Sequence, residues 1–139
     1  MKTLIVVPAR YASKRFPGKP LALIAGKTLL ERVVDVARTA CDGLSDCDFI
    51  VATDDARIED HANDVGAPVV MTDPDLPSGT DRAYAAALLQ IEKPDLVLNL
   101  QGDAPLTPPQ LISDMIDLAQ RIEADVYTPV TQLSWPKLD

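Results

Sequence analysis

The chain has 139 residues, 47% of them apolar, and its 21 acidic and 13 basic residues give a formal net charge of −8. This composition is typical of one folded globular domain and excludes a disordered chain. The acidic balance argues against a nucleic-acid partner, and no apolar run is long enough for membrane insertion, so a cytoplasmic location is expected.

Short apolar runs alternate with helical patterns from the N-terminus onward. Runs of strand length without polar alternation predict buried strands over residues 3–7, 49–53, 68–72 and 95–100. Helical spacing and capping residues predict helices over 28–41, 54–65, 81–92 and 108–123, with Thr28 and Thr107 as N-caps. A fifth strand is predicted over 125–133. This alternation predicts an α/β layered fold with a mostly parallel sheet.

The loop after the first strand gathers positive charge in an acidic chain. Pro8 ends the strand, and four bases follow with no acid among them: Arg10, Lys14, Arg15 and Lys19. Arginine and lysine are suited to phosphate oxygens, and Ser13 and backbone amides can add donors. The loop therefore predicts a phosphate site, with a solvated basic turn as the alternative. Neither a P-loop nor a G-x-G-x-x-G dinucleotide motif is present.

Two further loops follow predicted strands and contain polar clusters. The segment SGTDR at 78–82 begins a helix, so its amides and hydroxyls either contact a nucleotide or only cap that helix. The segment QGD at 101–103 offers Asp103 either as a Mg²⁺ ligand or as a turn residue. Because ligands bind at the carboxyl ends of parallel strands, the three loops are expected to meet at one edge of the sheet.

The remaining residues with reactive side chains give weaker signals. The spacing of Cys41 and Cys47 matches no metal or redox motif, so free, partly buried thiols are expected. His61 lies among acidic residues in a predicted surface helix, where a solvated side chain is expected.

Four segments in series resemble a known family. They are PARYASKRFPGKPL at 8–21, ATDD at 52–55, SGTDR at 78–82 and QGD at 101–103, and they resemble the 3-deoxy-manno-octulosonate (Kdo) cytidylyltransferases. Members of this family transfer CMP from CTP to the anomeric hydroxyl of Kdo and release pyrophosphate, a step in lipopolysaccharide biosynthesis. The resemblance spans essentially the whole chain.

The resemblance implies a Rossmann-like three-layer α/β/α nucleotidyltransferase fold, with residues 1–139 as its CTP-binding N-terminal part. It implies Arg10 and Lys19 as catalytic cations, Asp103 as a ligand of the cofactor Mg²⁺, and a homodimer in the full-length form. The partners implied are CTP and an acidic, Kdo-like sugar. The implied CTP-binding residues are Pro8, Ala9, Arg10, Ser13, Lys14, Arg15, Lys19, Ser78, Gly79, Thr80, Arg82 and Gln101.

Two departures from the family pattern leave alternatives open. The family reads QGDEP, whereas Ala104 stands here in place of the glutamate, which puts the metal geometry and the sugar preference in question. Family members are also about twice as long, and their later half supplies most of the sugar pocket, so turnover by these 139 residues alone is an open question. The alternatives are a cytidylyltransferase for 8-amino-Kdo or an N-acylneuraminate, or a non-catalytic nucleotide-binding module.

Overall fold

Strands and helices alternate along residues 1–134, the part of the chain that the computed structural model describes. A single 3₁₀ turn at Lys19–Leu21 lies within the first long loop. The strands are β1 Thr3–Pro8, β2 Leu23–Ile24, β3 Lys27–Thr28, β4 Cys47–Thr53, β5 Val69–Met71 and β6 Leu96–Asn99. The helices are α1 Leu29–Cys41, α2 Ala56–Asp64, α3 Gly79–Leu88 and α4 Pro109–Arg121.

Four of the strands form one parallel sheet in the order β5-β4-β1-β6. The first strand lies inside the sheet, with Val7 opposite Val51 of β4 and Ile5 opposite Leu98 of β6. All six β1 residues are buried, which explains why the sequence of this strand lacks polar alternation. The predicted parallel sheet and its four strands are confirmed.

Helices cover both faces of this sheet. Successive β1 side chains point to opposite faces, so Ile5 and Val7 pack with α1, α2 and α4, whereas Leu4 and Val6 pack with α3. The alanine-rich face of α3 suits this contact, because small side chains let the helix lie close to the sheet. The predicted three-layer α/β/α architecture is confirmed.

Two predicted N-caps had different outcomes. The Thr28 hydroxyl accepts a hydrogen bond from the Glu31 amide at 3.1 Å, so the predicted cap of α1 is confirmed. The cap predicted at Thr107 is wrong, because α4 begins at Pro109 and its N-cap residue is Pro108. The consecutive prolines move the start of the helix beyond Thr107, whose hydroxyl instead donates to the Ala104 carbonyl at 3.0 Å.

The fifth strand predicted over 125–133 is wrong, since residues 125–134 form no strand. Within residues 1–134, β6 pairs with β1 alone, so this segment has no ladder of hydrogen bonds. The Tyr127 hydroxyl accepts from the Ala124 amide at 3.0 Å and donates to the Ile122 carbonyl, which holds the segment against the end of α4. Pro129 also removes a backbone donor.

A short hairpin was missed from the sequence. Strands β2 and β3 pair antiparallel across Ala25 and Gly26, whose φ angles of 50° and 85° are typical of a tight hairpin turn with two left-handed residues. Each strand has only two residues, too few for a periodic pattern. Among the described residues, no helix is both long enough and apolar enough to cross a membrane.

Candidate active site

Three loops meet at the carboxyl edge of the sheet, as predicted. A Cβ atom added to Gly102 would lie only 2.5 Å from the Pro8 carbonyl oxygen, so the third loop lies directly against the end of β1. A Cβ atom on Gly79 would lie 3.3 Å from Gln101 Oε1 and 3.4 Å from Pro8 Cγ. The end of β1, the start of α3 and the loop after β6 are therefore in mutual contact.

The three loops enclose an open cavity of about 250 Å³. Ten of the residues predicted to bind CTP or metal line it, namely Pro8, Ala9, Arg10, Ser13, Lys19, Ser78, Gly79, Arg82, Gln101 and Asp103. Cations and a carboxylate thus share one cleft with polar backbone and side-chain groups. Such a cleft is suited to an anionic ligand that carries a metal ion.

Lys19 and Asp103 face each other across this cavity. Lys19 Nζ lies 3.5 Å from Asp103 Oδ2, and the two side chains are 47% and 61% exposed. An ion pair at this distance and exposure contributes less than about 1 kcal/mol. A ligand that offers phosphate oxygens to Lys19 and a metal ion to Asp103 can therefore separate the pair at little cost.

Arg82 is buried, with an exposed fraction of 3%. Its Nη1 donates to Thr72 Oγ1 at 2.5 Å and to the Asp73 carbonyl at 3.2 Å. These bonds tie α3 to the loop that precedes it. Arg82 also lines the cavity, so these bonds hold the loop that contributes Leu76 and Ser78 to the cavity lining.

The N-terminus of α3 forms another wall. The Ser78 hydroxyl accepts from the Asp81 amide at 3.1 Å and donates to the Asp81 carboxylate, so it caps the helix. The helix cap expected as the alternative is therefore present, and the same helix end lines the cavity. Backbone N–H groups at a helix N-terminus favour anions.

Three predicted site residues lie outside the cavity lining. Thr80 Oγ1 accepts from Asn99 Nδ2 at 3.3 Å, toward β6. Lys14 and Arg15 lie in the exposed part of the first loop and do not line the cavity. Their charge can attract an anion at longer range.

Four residues that line the cavity were not predicted individually: Pro20, Leu29, Leu76 and Gly102. Leu76 and Gly102 belong to the loops identified from the sequence, and Pro20 belongs to the first motif. Leu29 looked like an ordinary core residue because it begins an amphipathic helix. Its position in the first turn of α1, soon after the first loop, was the feature of the sequence that could have indicated a place in the cavity lining.

A second set of contacts joins Tyr11 of the first loop to the start of α2. Arg57 donates to Asp55 through Nε at 3.1 Å and through Nη2 at 2.8 Å, while its guanidinium carbon lies 3.3 Å from the centre of the Tyr11 ring. The side-chain hydrogen bond from Arg57 lowers the pKa of Asp55. Asp55 and Arg57 stand at the start of α2, so they connect the end of β4 to the first loop.

The two cysteines lie apart from the residues that line the cavity. Both are free and half-buried, as predicted, and their Sγ atoms are 2.9 Å apart. The hydrogen bond between the thiols raises the pKa of Cys41, and burial raises it further. The same hydrogen bond lowers the pKa of Cys47. His61 is not simply solvated, because its Nε2 lies 2.6 Å from Thr28 Oγ1.

The fold and this site together define an α/β protein with a cleft at the carboxyl edge of a parallel sheet, lined by cations and a carboxylate. The sequence model of the family described as cytidylyltransferase matches residues 4–135. The chain belongs to the cytidylyltransferase family, so the family predicted from the four segments is confirmed.

Individual relatives support the same conclusion. The chain is 46% identical over 138 residues to the 3-deoxy-manno-octulosonate cytidylyltransferase of Maricaulis maris (strain MCS10), an alignment that covers 99% of this chain and 50% of that protein. It is 51% identical over 122 residues to the 8-amino-3,8-dideoxy-manno-octulosonate cytidylyltransferase of Shewanella frigidimarina (strain NCIMB 400), covering 87% and 49%. The chain thus spans about half the length of these relatives.

A solved structure shares this fold. The structure of CMP:2-keto-3-deoxy-manno-octonic acid synthetase complexed with CTP matches with a TM-score of 0.77 and 35% identity. The match covers 87% of this chain and 48% of that one.

Proposed function

We propose that this chain is the CTP-binding part of a cytidylyltransferase that transfers CMP from CTP to the anomeric hydroxyl of Kdo and releases pyrophosphate. The observation that carries the proposal is that Arg10, Lys19 and Asp103 line one cavity at the carboxyl edge of the sheet. The two relatives and the CTP complex described above support it, because each is named for CMP transfer to a sugar acid of this type.

Arg10 and Lys19 would bind the phosphates of CTP. Both cations are exposed on a loop whose neighbouring α3 N-terminus adds backbone donors, so several positive groups would surround the triphosphate. In this reaction the sugar hydroxyl attacks the α-phosphorus while the bond to pyrophosphate breaks. Cations held in place before the reaction can stabilise the negative charge that develops on the leaving group.

Asp103 would contact a Mg²⁺ ion bound with the triphosphate. Among residues 1–134, no group of three or more acidic, histidine or cysteine side chains is arranged to hold a metal ion. A lone carboxylate beside a phosphate site fits Mg²⁺, which commonly takes one or two carboxylates and completes its shell with phosphate oxygens and water. When bound, Mg²⁺ would supply charge neutralisation at the phosphate oxygens.

A second sugar acid is a specific alternative. The 51% identity over 122 residues with the Shewanella frigidimarina protein, beside 46% over 138 residues with the Maricaulis maris protein, supports 8-amino-Kdo as a second candidate substrate. Ala104 borders a groove beside β6, next to the proposed metal residue. Homodimeric assembly of a full-length form, which the family resemblance implies, and the cytoplasmic location expected from the sequence stay predictions.

Titration of this chain with CTP by calorimetry tests the nucleotide site directly. We expect CTP to bind more tightly with MgCl₂ than without, and more tightly than ATP or GTP. Arg10→Ala should weaken CTP binding and leave the urea midpoint unchanged, because the exposed side chain contributes little to the core. Arg121→Ala is the matched control, since Arg121 is also exposed but lies on α4.

Pyrophosphate release by the full reading frame that encodes this chain tests the sugar. Kdo, 8-amino-Kdo and an N-acylneuraminate are offered separately with CTP and Mg²⁺, and turnover with Kdo is expected. Turnover with only one of the other sugars would reassign the substrate. Tight CTP binding without turnover on any of them would favour a non-catalytic module.

A further inference from the structure

The segment that carries the cations of the first loop has few backbone hydrogen bonds of its own. Between Arg10 and Lys19, the Gly18 amide donates to the Tyr11 carbonyl at 2.8 Å, the Lys19 amide donates to the Phe16 carbonyl at 3.2 Å, and the Phe16 amide donates to Ser13 Oγ at 3.3 Å, so all three bonds are internal to the loop. Residues 14–17 are exposed. The position of the loop must therefore depend on side chains that connect it to the rest of the fold.

Tyr11 connects the loop to the core, in addition to the exposed ion pair of Lys19 with Asp103. It is half-buried against the core between the sheet and α1, whereas its neighbours Arg10 and Ala12 are exposed. A Cβ atom on Gly18 would lie 2.9 Å from Tyr11 Cε2 and 3.0 Å from Cζ, so the glycine backbone lies directly against the ring. Gly18 also has a φ angle of 70°, which favours glycine. The ring thus fixes the residue that immediately precedes Lys19.

Arg57 holds the same ring from a different element. Its guanidinium carbon lies 3.3 Å from the ring centre, a distance suited to stacking and to a cation–π interaction. The guanidinium is in turn oriented by its two hydrogen bonds to Asp55, whose side chain is 18% exposed. The chain of contacts runs from the N-terminus of α2 to the ring and then to Gly18.

We propose that Tyr11 is a positioning residue, held by Arg57 and Asp55, that sets the distance between the phosphate-binding cations Arg10 and Lys19. Tyr11 directly follows Arg10 in the chain and contacts the residue before Lys19, so its ring determines where both cations stand. The inference rests on the proposed function, because it assigns the two cations to the phosphates of CTP. Tyr11 itself does not line the cavity.

Leucine and phenylalanine substitutions at position 11 separate stacking from simple packing. Tyr11→Leu keeps an apolar side chain against the core but removes the ring, whereas Tyr11→Phe keeps the ring. Tyr84→Leu is the matched control, because Tyr84 is 64% exposed on α3. Arg57→Ala tests the cation, with Arg121→Ala as its control, since Arg121 also pairs with an aspartate.

Two measurements are made on each variant. Amide hydrogen exchange without nucleotide reports the order of the loop through the Gly18 N–H, and calorimetry with CTP and MgCl₂ reports the site. If Tyr11→Leu leaves the loop correctly placed a tenth of the time, exchange at Gly18 accelerates and the Kd for CTP rises by about tenfold. Tyr11→Phe should behave as wild type in both measurements, and Arg57→Ala should shift both in the direction of Tyr11→Leu.

The two proposals fail in different ways. Absence of CTP binding by the wild-type chain would overturn the proposed function, while the exchange measurement would still decide whether Tyr11 orders the loop. Wild-type exchange and affinity in Tyr11→Leu would overturn the positioning role. Equal defects in Tyr11→Phe and Tyr11→Leu would also overturn it, because the ring would then not be the group that matters.

Discussion

Lys19 Nζ stands 3.5 Å from Asp103 Oδ2, although 84 residues separate the two positions in the chain. The contact joins the loop after β1 to the loop after β6, two strands that are neighbours in the sheet. The order of strands, rather than any local signal, brings this cation and this carboxylate together. In the proposed function, Lys19 would contact phosphate and Asp103 would contact the metal ion.

Lys19→Met should weaken CTP binding whether or not Mg²⁺ is present. The substitution removes a charge-assisted contact with phosphate, worth about 1.5–3 kcal/mol, so the Kd should rise about 10- to 140-fold. Calorimetry at zero and 5 mM MgCl₂ would measure this change. Lys27→Met, which removes an exposed lysine outside the cavity, is the control. An unchanged Kd would remove Lys19 from the phosphate site.

Asp103→Asn should weaken CTP binding only when Mg²⁺ is present. Without Mg²⁺ the variant should bind CTP at least as tightly as wild type, because a carboxylate that repels phosphate is gone. With Mg²⁺ the gain in affinity seen for wild type should fall on the order of tenfold, since a charged ligand is lost. The measurement is a Mg²⁺ titration at fixed CTP. A full metal response in the variant would contradict the role of Asp103.

The parallel sheet, and the position of its three loops at one edge, could be predicted from the sequence because both depend on patterns of about five residues or more. Apolar runs without polar alternation indicate buried strands, and the amphipathic helices between them indicate an α/β order. In such a fold the carboxyl ends of the parallel strands lie at the same edge of the sheet. The hairpin across Ala25 and Gly26 was missed because its strands are too short for a period. The strand predicted from Asp125 failed because β-branched residues form a strand only where a partner edge pairs with them.

The candidate site was predictable as a set of loops but not in its internal contacts. Motif order identified most of the residues that line the cavity, but it does not fix the direction of each side chain, and Thr80, Lys14 and Arg15 lie outside the lining. The contact of Tyr11 with Arg57 depends on how α2 packs beside the first loop. No local pattern in a single sequence contains that information.

Gly102→Ala should destabilise the fold and the site together. The added Cβ would lie 2.5 Å from the Pro8 carbonyl oxygen, a backbone atom within the central strand, so the loop that carries Asp103 must move. Overpacking of this kind costs about 1–3 kcal/mol. Urea unfolding and the Mg²⁺ response of CTP binding would both be measured.

Gly79→Ala is the matched control for Gly102→Ala. Its Cβ would meet Gln101 Oε1 at 3.3 Å and Pro8 Cγ at 3.4 Å, and the glutamine side chain can move aside. We therefore expect a smaller loss of stability. Equal losses in the two variants would mean that the backbone contact at Pro8 is not the cause.

Asp55→Asn should reduce stability in a pH-dependent way. Asparagine can still cap α2, so the substitution isolates the charge of Asp55. The hydrogen bond from Arg57 lowers the pKa of Asp55 below its ordinary 3.8. A carboxyl group with a lowered pKa stabilises the fold fully above that ordinary value, and this contribution disappears as the pH falls through the folded-state pKa.

The difference in urea midpoint between wild type and Asp55→Asn should accordingly be constant from pH 7 to pH 5 and shrink below about pH 4. Asp117→Asn should show a smaller difference, because the side chains of Asp117 and Arg121 are 54% and 70% exposed. A difference that persists unchanged at pH 3 would show that ionisation of Asp55 is not involved.

Cys47 should react with iodoacetamide before Cys41. The hydrogen bond between the two thiols lowers the pKa of Cys47 from its ordinary 9.0 and raises that of Cys41, and the thiolate is the reactive form. Peptide mass spectrometry after brief alkylation between pH 6 and 10 would give a rate profile for each cysteine. In Cys41→Ala the hydrogen bond that lowers the pKa of Cys47 is lost, so the Cys47 profile should move to higher pH. An unmoved profile would mean that burial and nearby charges, rather than Cys41, set the reactivity of Cys47.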